Sequence, residues 1–113
     1  RGNLMLQNQD AYLSATGGIR LNEPAIDLAI TMAIASSYYD KEISATDCFV
    51  GEIGLTGEVR RVNQIQARVK EAGKVGFKRI FIPKYNMSPA LQDLGIEVIP
   101  VSSVRQALHY LFS

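Results

Sequence analysis

The order of apolar and polar positions along the chain predicts an α/β fold. Asp10–Ala15 alternates apolar and polar residues, as a half-buried strand does, and Gly17–Gly18 would end it. Residues from Ala25 to about Tyr39 are apolar nearly all round, which predicts a core helix buried on most sides. Asn22–Pro24 suits the start of that helix, because Asn or Glu can cap free N–H groups and proline tolerates the first turn.

An antiparallel hairpin is predicted in the middle of the chain. Cys48–Ile53 is predicted as one strand, Gly54–Gly57 as the turn, and Glu58–Arg60 as the returning strand. Glycines stand at positions 51, 54 and 57, but they precede a strand, so hairpin turns explain them better than dinucleotide binding does. For Glu52 and Glu58 the pattern favours solvated or hydrogen-bonded strand ends over a carboxylate pair for acid–base chemistry.

The second half of the chain alternates helices and strands. A helix is predicted from about Asn63 to Lys74, and its apolar stripe consists of Val62, Ile65, Val69 and Ala72. The segments Arg79–Ile82 and Gly95–Pro100 are predicted strands, joined by a short helix. Ser103 would cap a last helix that ends near Leu111. This order predicts strands packed between helices.

Composition limits the class of protein. The chain has 113 residues, 47% hydrophobic and 20% charged, which fits a single folded domain and excludes disorder. Cys48 is the one cysteine, so no internal disulfide or CxxC zinc site forms, and His109 has no second histidine to share a metal. Leu28–Ala35 is the longest nearly apolar run, far short of the ~20 residues of a membrane span. We expect a cytoplasmic protein with no membrane partner.

The first residues suggest a piece of a larger protein. Arg1–Leu6 has neither a basic leader nor a long apolar stretch, so no signal peptide is predicted. Gly2–Asn3 resembles the end of a helix that begins upstream. The whole chain, residues 1–113, is therefore expected to be a single, N-terminally truncated domain of a multidomain protein.

Charge is unevenly distributed along the chain. The overall net charge is +1. Residues 60–84 hold eight basic residues and one acidic residue, a net charge of +7. The rest of the chain holds four basic and ten acidic residues, a net charge of −6. Gln66, Lys70 and Lys74 recur every fourth residue beside the apolar stripe. A cationic surface that contacts DNA phosphates without reading bases is predicted from Arg60, Arg61, Arg68, Lys70, Lys74, Lys78 and Arg79. The alternative is a solvated helix face.

Asp27 is the one charge inside the apolar helix. Its position in the first turn suits the helix dipole, and a contact to a neighbouring subunit is the functional alternative.

Two motifs carry a family resemblance. Gly51-Glu-Ile-Gly-Leu-Thr-Gly-Glu-Val-Arg60 and Gly76-Phe-Lys-Arg-Ile-Phe-Ile-Pro83 flank the predicted basic helix. This arrangement resembles the proteolytic domain of Lon-type ATP-dependent proteases, which implies the α/β fold of that domain (ribosomal protein S5 domain 2-like). The match runs from about Asp10 to the C-terminus.

The resemblance also implies that the Lon chemistry is lost. Lon proteases use a Ser nucleophile and a Lys base. The serine motif aligns with Glu23–Asp27 and places Ala25 at the nucleophile, and the lysine motif aligns with Asn63–Arg68 and places Gln66 at the base. Alanine has no nucleophile and an amide is no general base, so no catalytic residue is expected.

A Lon-like domain with these substitutions is similar to the C-terminal domain of the RadA (Sms) family of bacterial DNA repair proteins. The pattern of that family includes Gly17–Arg20 and Glu23–Ala29. The resemblance implies a full-length hexameric ATPase with a zinc finger, which would use ATP, Mg and Zn. It also implies a role in homologous recombination and branch migration, with a recombinase as a partner. This domain would then be a scaffold that binds DNA and forms the ring, with no cofactor of its own.

Two other functions remain open. The first is an active Ser–Lys peptidase of the Lon family, its nucleophile moved to Ser36 or Ser37 with Lys41 as the base. The second is a purely structural ring-former with no nucleic-acid role.

Overall fold

A computed structural model describes residues 24–112 of the chain, and their central feature is a three-stranded parallel sheet. The strands are β1 (Asp47–Phe49), β2 (Glu52–Ile53), β3 (Val59–Arg60), β4 (Arg79–Pro83) and β5 (Glu97–Val101). The α-helices are α1 (Asp27–Tyr39), α2 (Ile65–Lys74) and α3 (Val104–Phe112), with short 3-10 turns at Pro24–Ile26, Lys84–Asn86 and Pro89–Leu91. The predicted α/β class is confirmed.

The parallel sheet has the order β1-β4-β5, with β4 in the centre. Asp47 pairs with Arg79 and Phe49 with Phe81 across β1 and β4. The side chains of β4 from Ile80 to Ile82 are fully buried. A parallel strand covered on both faces is expected to be continuously apolar, as this one is.

Each face of the sheet has its own core. Because strand side chains alternate, Ile80 and Ile82 point to one face, where they pack against Val69 and Ala72 of α2. Phe81 points to the other face, where α1 and α3 cover it. The rings of Phe49 and Phe81 stack there at 4.8 Å between centroids.

One predicted strand is two strands. Gly51 interrupts Cys48–Ile53, so β1 lies in the parallel sheet and β2 pairs antiparallel with β3. The physical reason is that the Gly51 backbone bonds to the start of α1: its N–H donates to the Ala25 carbonyl at 2.9 Å, and its carbonyl accepts from Leu28 N–H at 3.0 Å. A Cβ at Gly51 would lie 2.7 Å from Cγ1 of Val59, so only glycine fits without a shift.

The core helix α1 is exposed along one stripe. Leu28, Ala29 and Met32 are buried as predicted, but Ile34 is 64% and Tyr38 80% exposed. The expectation of burial on most sides is therefore wrong for this stripe.

Helix boundaries differ from the predicted ones at α2. The predicted start at Asn63 is wrong, because Gln64 has φ +54° and α2 begins at Ile65.

The start of α3 follows the prediction. Ser103 Oγ accepts the N–H of Gln106 at 3.0 Å, which confirms Ser103 as the cap.

Some predictions lie outside the described residues. These are the strand Asp10–Ala15, the glycines Gly17–Gly18 and the caps Asn22 and Glu23. Within residues 24–112, none of the helices is long and apolar enough to cross a membrane.

The tight packing at Gly51 yields a stability prediction. Gly51→Ala is expected to destabilise the chain by about 1–3 kcal/mol, because the added methyl overlaps Val59. Gly73→Ala is the matched control: its Cβ would lie 3.7 Å from the Leu94 carbonyl, an ordinary contact, and alanine favours the helix by up to ~1 kcal/mol. Urea unfolding measures both variants, and a Gly51→Ala variant as stable as the unchanged chain would contradict the packing.

Candidate nucleic-acid interface and the dyad positions

Helix α2 presents a basic face beside its buried stripe. Val69 and Ala72 are fully buried against the sheet. Gln66, Lys70 and Lys74 are exposed, as their spacing predicted. The ammonium of Lys74 lies 3.9 Å from Glu71, a loose exposed pair that contributes little stability. This face can meet phosphates without disturbing the core.

Two predicted DNA contacts are arginines engaged in ion pairs within the chain. Arg60 binds the Glu58 carboxylate at 3.2 Å. Arg79 donates from Nε and Nη2 to Asp47 at 2.9 and 2.7 Å, and its guanidinium lies 5.2 Å from the ring centre of Phe81. The hydrogen bond to Asp47 raises the pKa of Arg79.

These pairings distinguish Arg60 and Arg79 from the other five basic side chains of the predicted DNA surface, which stays a prediction. Asp47 is nearly fully buried, so Arg79 neutralises a carboxylate inside the fold. The DNA surface proposed below therefore leaves out Arg79, and Arg60 shares its charge with Glu58.

The topology separates the remaining basic residues into two groups. Helix α2 precedes β4, which lies parallel to β1, so α2 runs back across the sheet. Lys74 and Lys78 lie toward the amino end of β4, where the Lys78 N–H donates to Thr46. Arg61 and Arg68 lie toward the other end, beside residues that follow β4.

A pocket of about 300 Å³ lies beside Ala25, the position that the resemblance to Lon proteases assigns to the nucleophile. Ala25, which is 4% exposed, sits in the 3-10 turn before α1 and forms part of its wall. The described residues that line this pocket are Pro24, Ala25, Glu52, Arg61, Val62, Asn63 and Arg68. Gln66, at the aligned base position, is exposed on α2 and is not among them. The structure therefore places arginines, rather than Gln66, in the pocket beside Ala25.

The side of the pocket that carries Arg61 and Arg68 is held by specific hydrogen bonds. Arg68 donates from Nε to the Asn63 carbonyl at 2.8 Å and from Nη2 to Asn63 Oδ1 at 3.0 Å. Asn86 clamps Val62 by accepting its N–H and donating to its carbonyl, both at 2.9 Å. Arg61 donates to the Tyr85 carbonyl at 3.3 Å. Sequence reasoning missed Asn86, because no local pattern marks an amide that binds a backbone 24 residues away. It also missed the bonds from Arg68 to Asn63, five residues before it.

Asp27 has a role inside the chain. Its Oδ2 accepts the N–H of Ile53 at 3.1 Å and so joins the first turn of α1 to β2. A subunit contact through Asp27 stays a prediction.

Glu58 orders the hairpin turn. Its carboxylate accepts the N–H of Thr56 at 3.1 Å and the Thr56 hydroxyl at 2.6 Å, and it also binds Arg60. The Thr56 hydroxyl is the main cause that lowers the pKa of Glu58 to about 2. A Cβ at Gly54 would lie 2.2 Å from this carboxylate, so a larger residue there would require the Glu58 side chain to move. Glu58 is thus a hydrogen-bonded strand end, as favoured above, and Glu52 lies apart in the pocket wall.

Comparison with known proteins relates the chain to DNA repair proteins. A family model described as subunit ChlI of Mg-chelatase matches residues 14–86. DNA repair protein RadA of Listeria monocytogenes is 56% identical over 96% of this chain, and RadA of Bacillus subtilis is 58% identical over the same share. RadA of Streptococcus pneumoniae is 51% identical over the whole chain. The chain spans 24–27% of the length of these relatives.

The hydrogen bonds around Glu58 predict its titration. We expect NMR to give a pKa near 2 for Glu58, against an ordinary 4.5. Because the folded-state pKa is the lower one, the carboxylate stabilises the hairpin fully above pH 4.5, and this contribution is lost as the pH falls toward 2. Thr56→Val should raise the pKa, while Thr46→Val, outside the hairpin, should not. An unchanged titration in Thr56→Val would contradict the assignment.

Proposed function

The chain belongs to the family described as subunit ChlI of Mg-chelatase and is related over its length to proteins named DNA repair protein RadA, and from this premise we propose that it is a non-catalytic, Lon-like domain of a DNA repair ATPase. The domain binds DNA without sequence preference and contributes to a ring of identical subunits. The observation that carries the DNA-binding role is the exposed lysine face of α2.

The lysine face fits backbone contacts. Lys70 and Lys74 stand one helical turn apart and are exposed, with Lys78 just beyond the end of α2. Cations spaced along a helix neutralise phosphates of single-stranded or double-stranded DNA. No aromatic side chain interrupts α2 to stack on bases, so contacts to phosphates rather than to bases are proposed.

Loss of the Lon chemistry fits the pocket around Ala25. Alanine supplies no nucleophile there, and the pocket contains arginines, which do not act as bases because they stay protonated. The peptidase alternative is further weakened at Ser36, which is fully buried and whose hydroxyl donates to the Lys41 carbonyl within the cap of α1. A buried hydroxyl cannot reach a peptide substrate.

The activities of the whole protein lie mainly outside this chain. Since the chain spans about a quarter of its relatives, ATP with Mg, and a zinc site, are proposed for the remaining length. The proposal includes a cytoplasmic hexamer that acts with a recombinase in branch migration. Contact between acidic and basic faces of adjacent subunits would support the ring.

Charge reversal on α2 tests the DNA face. In the full-length protein, Lys70→Glu with Lys74→Glu is expected to weaken DNA binding roughly ten-fold or more, because two phosphate contacts become repulsive. The slope of log K against log salt should fall in magnitude by about 1.8 for duplex DNA. Fluorescence anisotropy over a salt series measures both.

A matched variant controls for net charge in that experiment. Lys41→Glu with Arg105→Glu makes the same change of charge beside the end of α1, away from α2. This control is expected to keep most of the affinity. Equal losses in both variants, or no loss in the α2 variant with its fold verified by circular dichroism, would reject the lysine face and favour a purely structural ring-former.

Peptidase assays test the catalytic alternative. The chain is expected to leave casein and unfolded peptides intact, because Ala25 and Gln66 occupy the dyad positions. Mass spectrometry of the digest detects cleavage. Cleavage that disappears in Ser37→Ala but persists in the control Ser44→Ala would establish a relocated nucleophile and overturn the proposal.

A further inference from the structure

We propose that the pocket beside Ala25 is a phosphate-binding site whose ligand is held by Arg61 and Arg68. The site is distinct from the lysine face of α2, and the proposal does not rest on DNA binding by that face. Its basis is that two arginines and an asparagine, Asn63, line one small cavity of about 300 Å³.

The residue type suits the ligand. Guanidinium groups are planar forks that donate parallel hydrogen bonds to two oxygens of a phosphate, and they stay charged at every physiological pH. Two of them outweigh Glu52, the one carboxylate among the described residues of the wall, so the described lining carries a net charge of +1. An anionic ligand is therefore favoured over a neutral or cationic one.

Hydrogen bonds hold Arg68 and orient Arg61 before any ligand arrives. Arg68 has Nε and Nη2 bonded to Asn63, and Arg61 has Nη2 bonded to the Tyr85 carbonyl. The segment between them is clamped through Val62 by Asn86. Arg61 donates only one of its five N–H groups in these described bonds, so others can bind a ligand. Side chains that are already ordered lose less entropy on binding, which strengthens the site.

Glu52, in the wall of the same pocket, limits what enters. Glu52 is a carboxylate that accepts hydrogen bonds and repels a second anion, so it suits a hydroxyl beside the phosphate. The cavity volume lies at the low end of the range for small-molecule pockets. These features suit one phosphate with its sugar, supplied either by a free nucleotide or by the end of a DNA strand.

Titration of the chain with simple phosphates tests the site. Inorganic phosphate is expected to bind saturably and to shift the NMR signals of the Arg61 and Arg68 Nε–H groups and of the Asn63 amide. Deoxyadenosine monophosphate and a short oligonucleotide with or without a 5′-phosphate are the further probes. Tighter binding of the mononucleotide assigns the site to free nucleotides, and tighter binding of the 5′-phosphorylated oligonucleotide assigns it to DNA ends.

Two variants are expected to change phosphate binding in opposite directions, and a third is the control. Arg61→Gln should weaken phosphate binding roughly ten-fold, because a hydrogen bond to a charged group is lost. Glu52→Gln should strengthen it about three-fold, because a nearby like charge is removed, an effect that a merely structural residue would not produce. Arg105→Gln, an exposed arginine on α3, should leave it unchanged. Arg68→Gln is less informative, since Arg68 also holds Asn63.

Several outcomes would overturn the site. Absence of saturable binding by every probe, equal weakening in Arg61→Gln and Arg105→Gln, or no gain in a folded Glu52→Gln variant would each reject it. A failure of the phosphate site can be distinguished from a failure of the proposed DNA face. Phosphate binding should be unchanged in the Lys70→Glu and Lys74→Glu double variant.

Discussion

Three hydrogen bonds join the segment 51–53 to the start of α1, and the arrangement of the site depends on them. Gly51 donates to Ala25 and accepts from Leu28, and Ile53 donates to Asp27. The bond from Leu28 satisfies a backbone N–H group at the start of the helix, where no intrahelical partner exists. They also lead the chain out of the parallel sheet and into the β2–β3 hairpin. As a result the pocket wall contains Ala25 and Glu52, residues 27 positions apart in sequence.

The part of the pocket that carries the arginines depends on a second set of tertiary hydrogen bonds. Val62 follows β3, and Asn86 follows β4, so their mutual hydrogen bonds join the hairpin side of the fold to the end of the central strand. Arg61 precedes Val62 and Arg68 follows it by six residues, so these bonds also help to position both arginines. The pocket thus results from two sets of tertiary hydrogen bonds, one at residues 51–53 and one at Val62, rather than from any local motif.

The sequence predicted elements whose signal is local and missed those set by distant contacts. The stripe that ends at Val69 and Ala72 repeats at the helical period, so α2 and its exposed lysines could be predicted. The break at Gly51 could not, because Cys48–Ile53 continues a strand pattern and the competing bonds come from α1. Likewise the pairing of Asp47 with Arg79 requires the register of β1 on β4, which no single segment encodes.

A charge count along the chain differs from the charge of a surface for the same reason. Arg79 belongs to the basic segment, yet its partner Asp47 was counted with the acidic remainder, so folding cancels part of the apparent split. The remaining basic residues differ in their hydrogen bonds to the rest of the chain. The long, exposed lysines of α2 suit phosphates that slide past in any register, since an ammonium has no fixed geometry. Arg61 and Arg68, already held by backbone and amide groups, suit a phosphate that stops at one place. The two groups of cations therefore suit two kinds of phosphate contact.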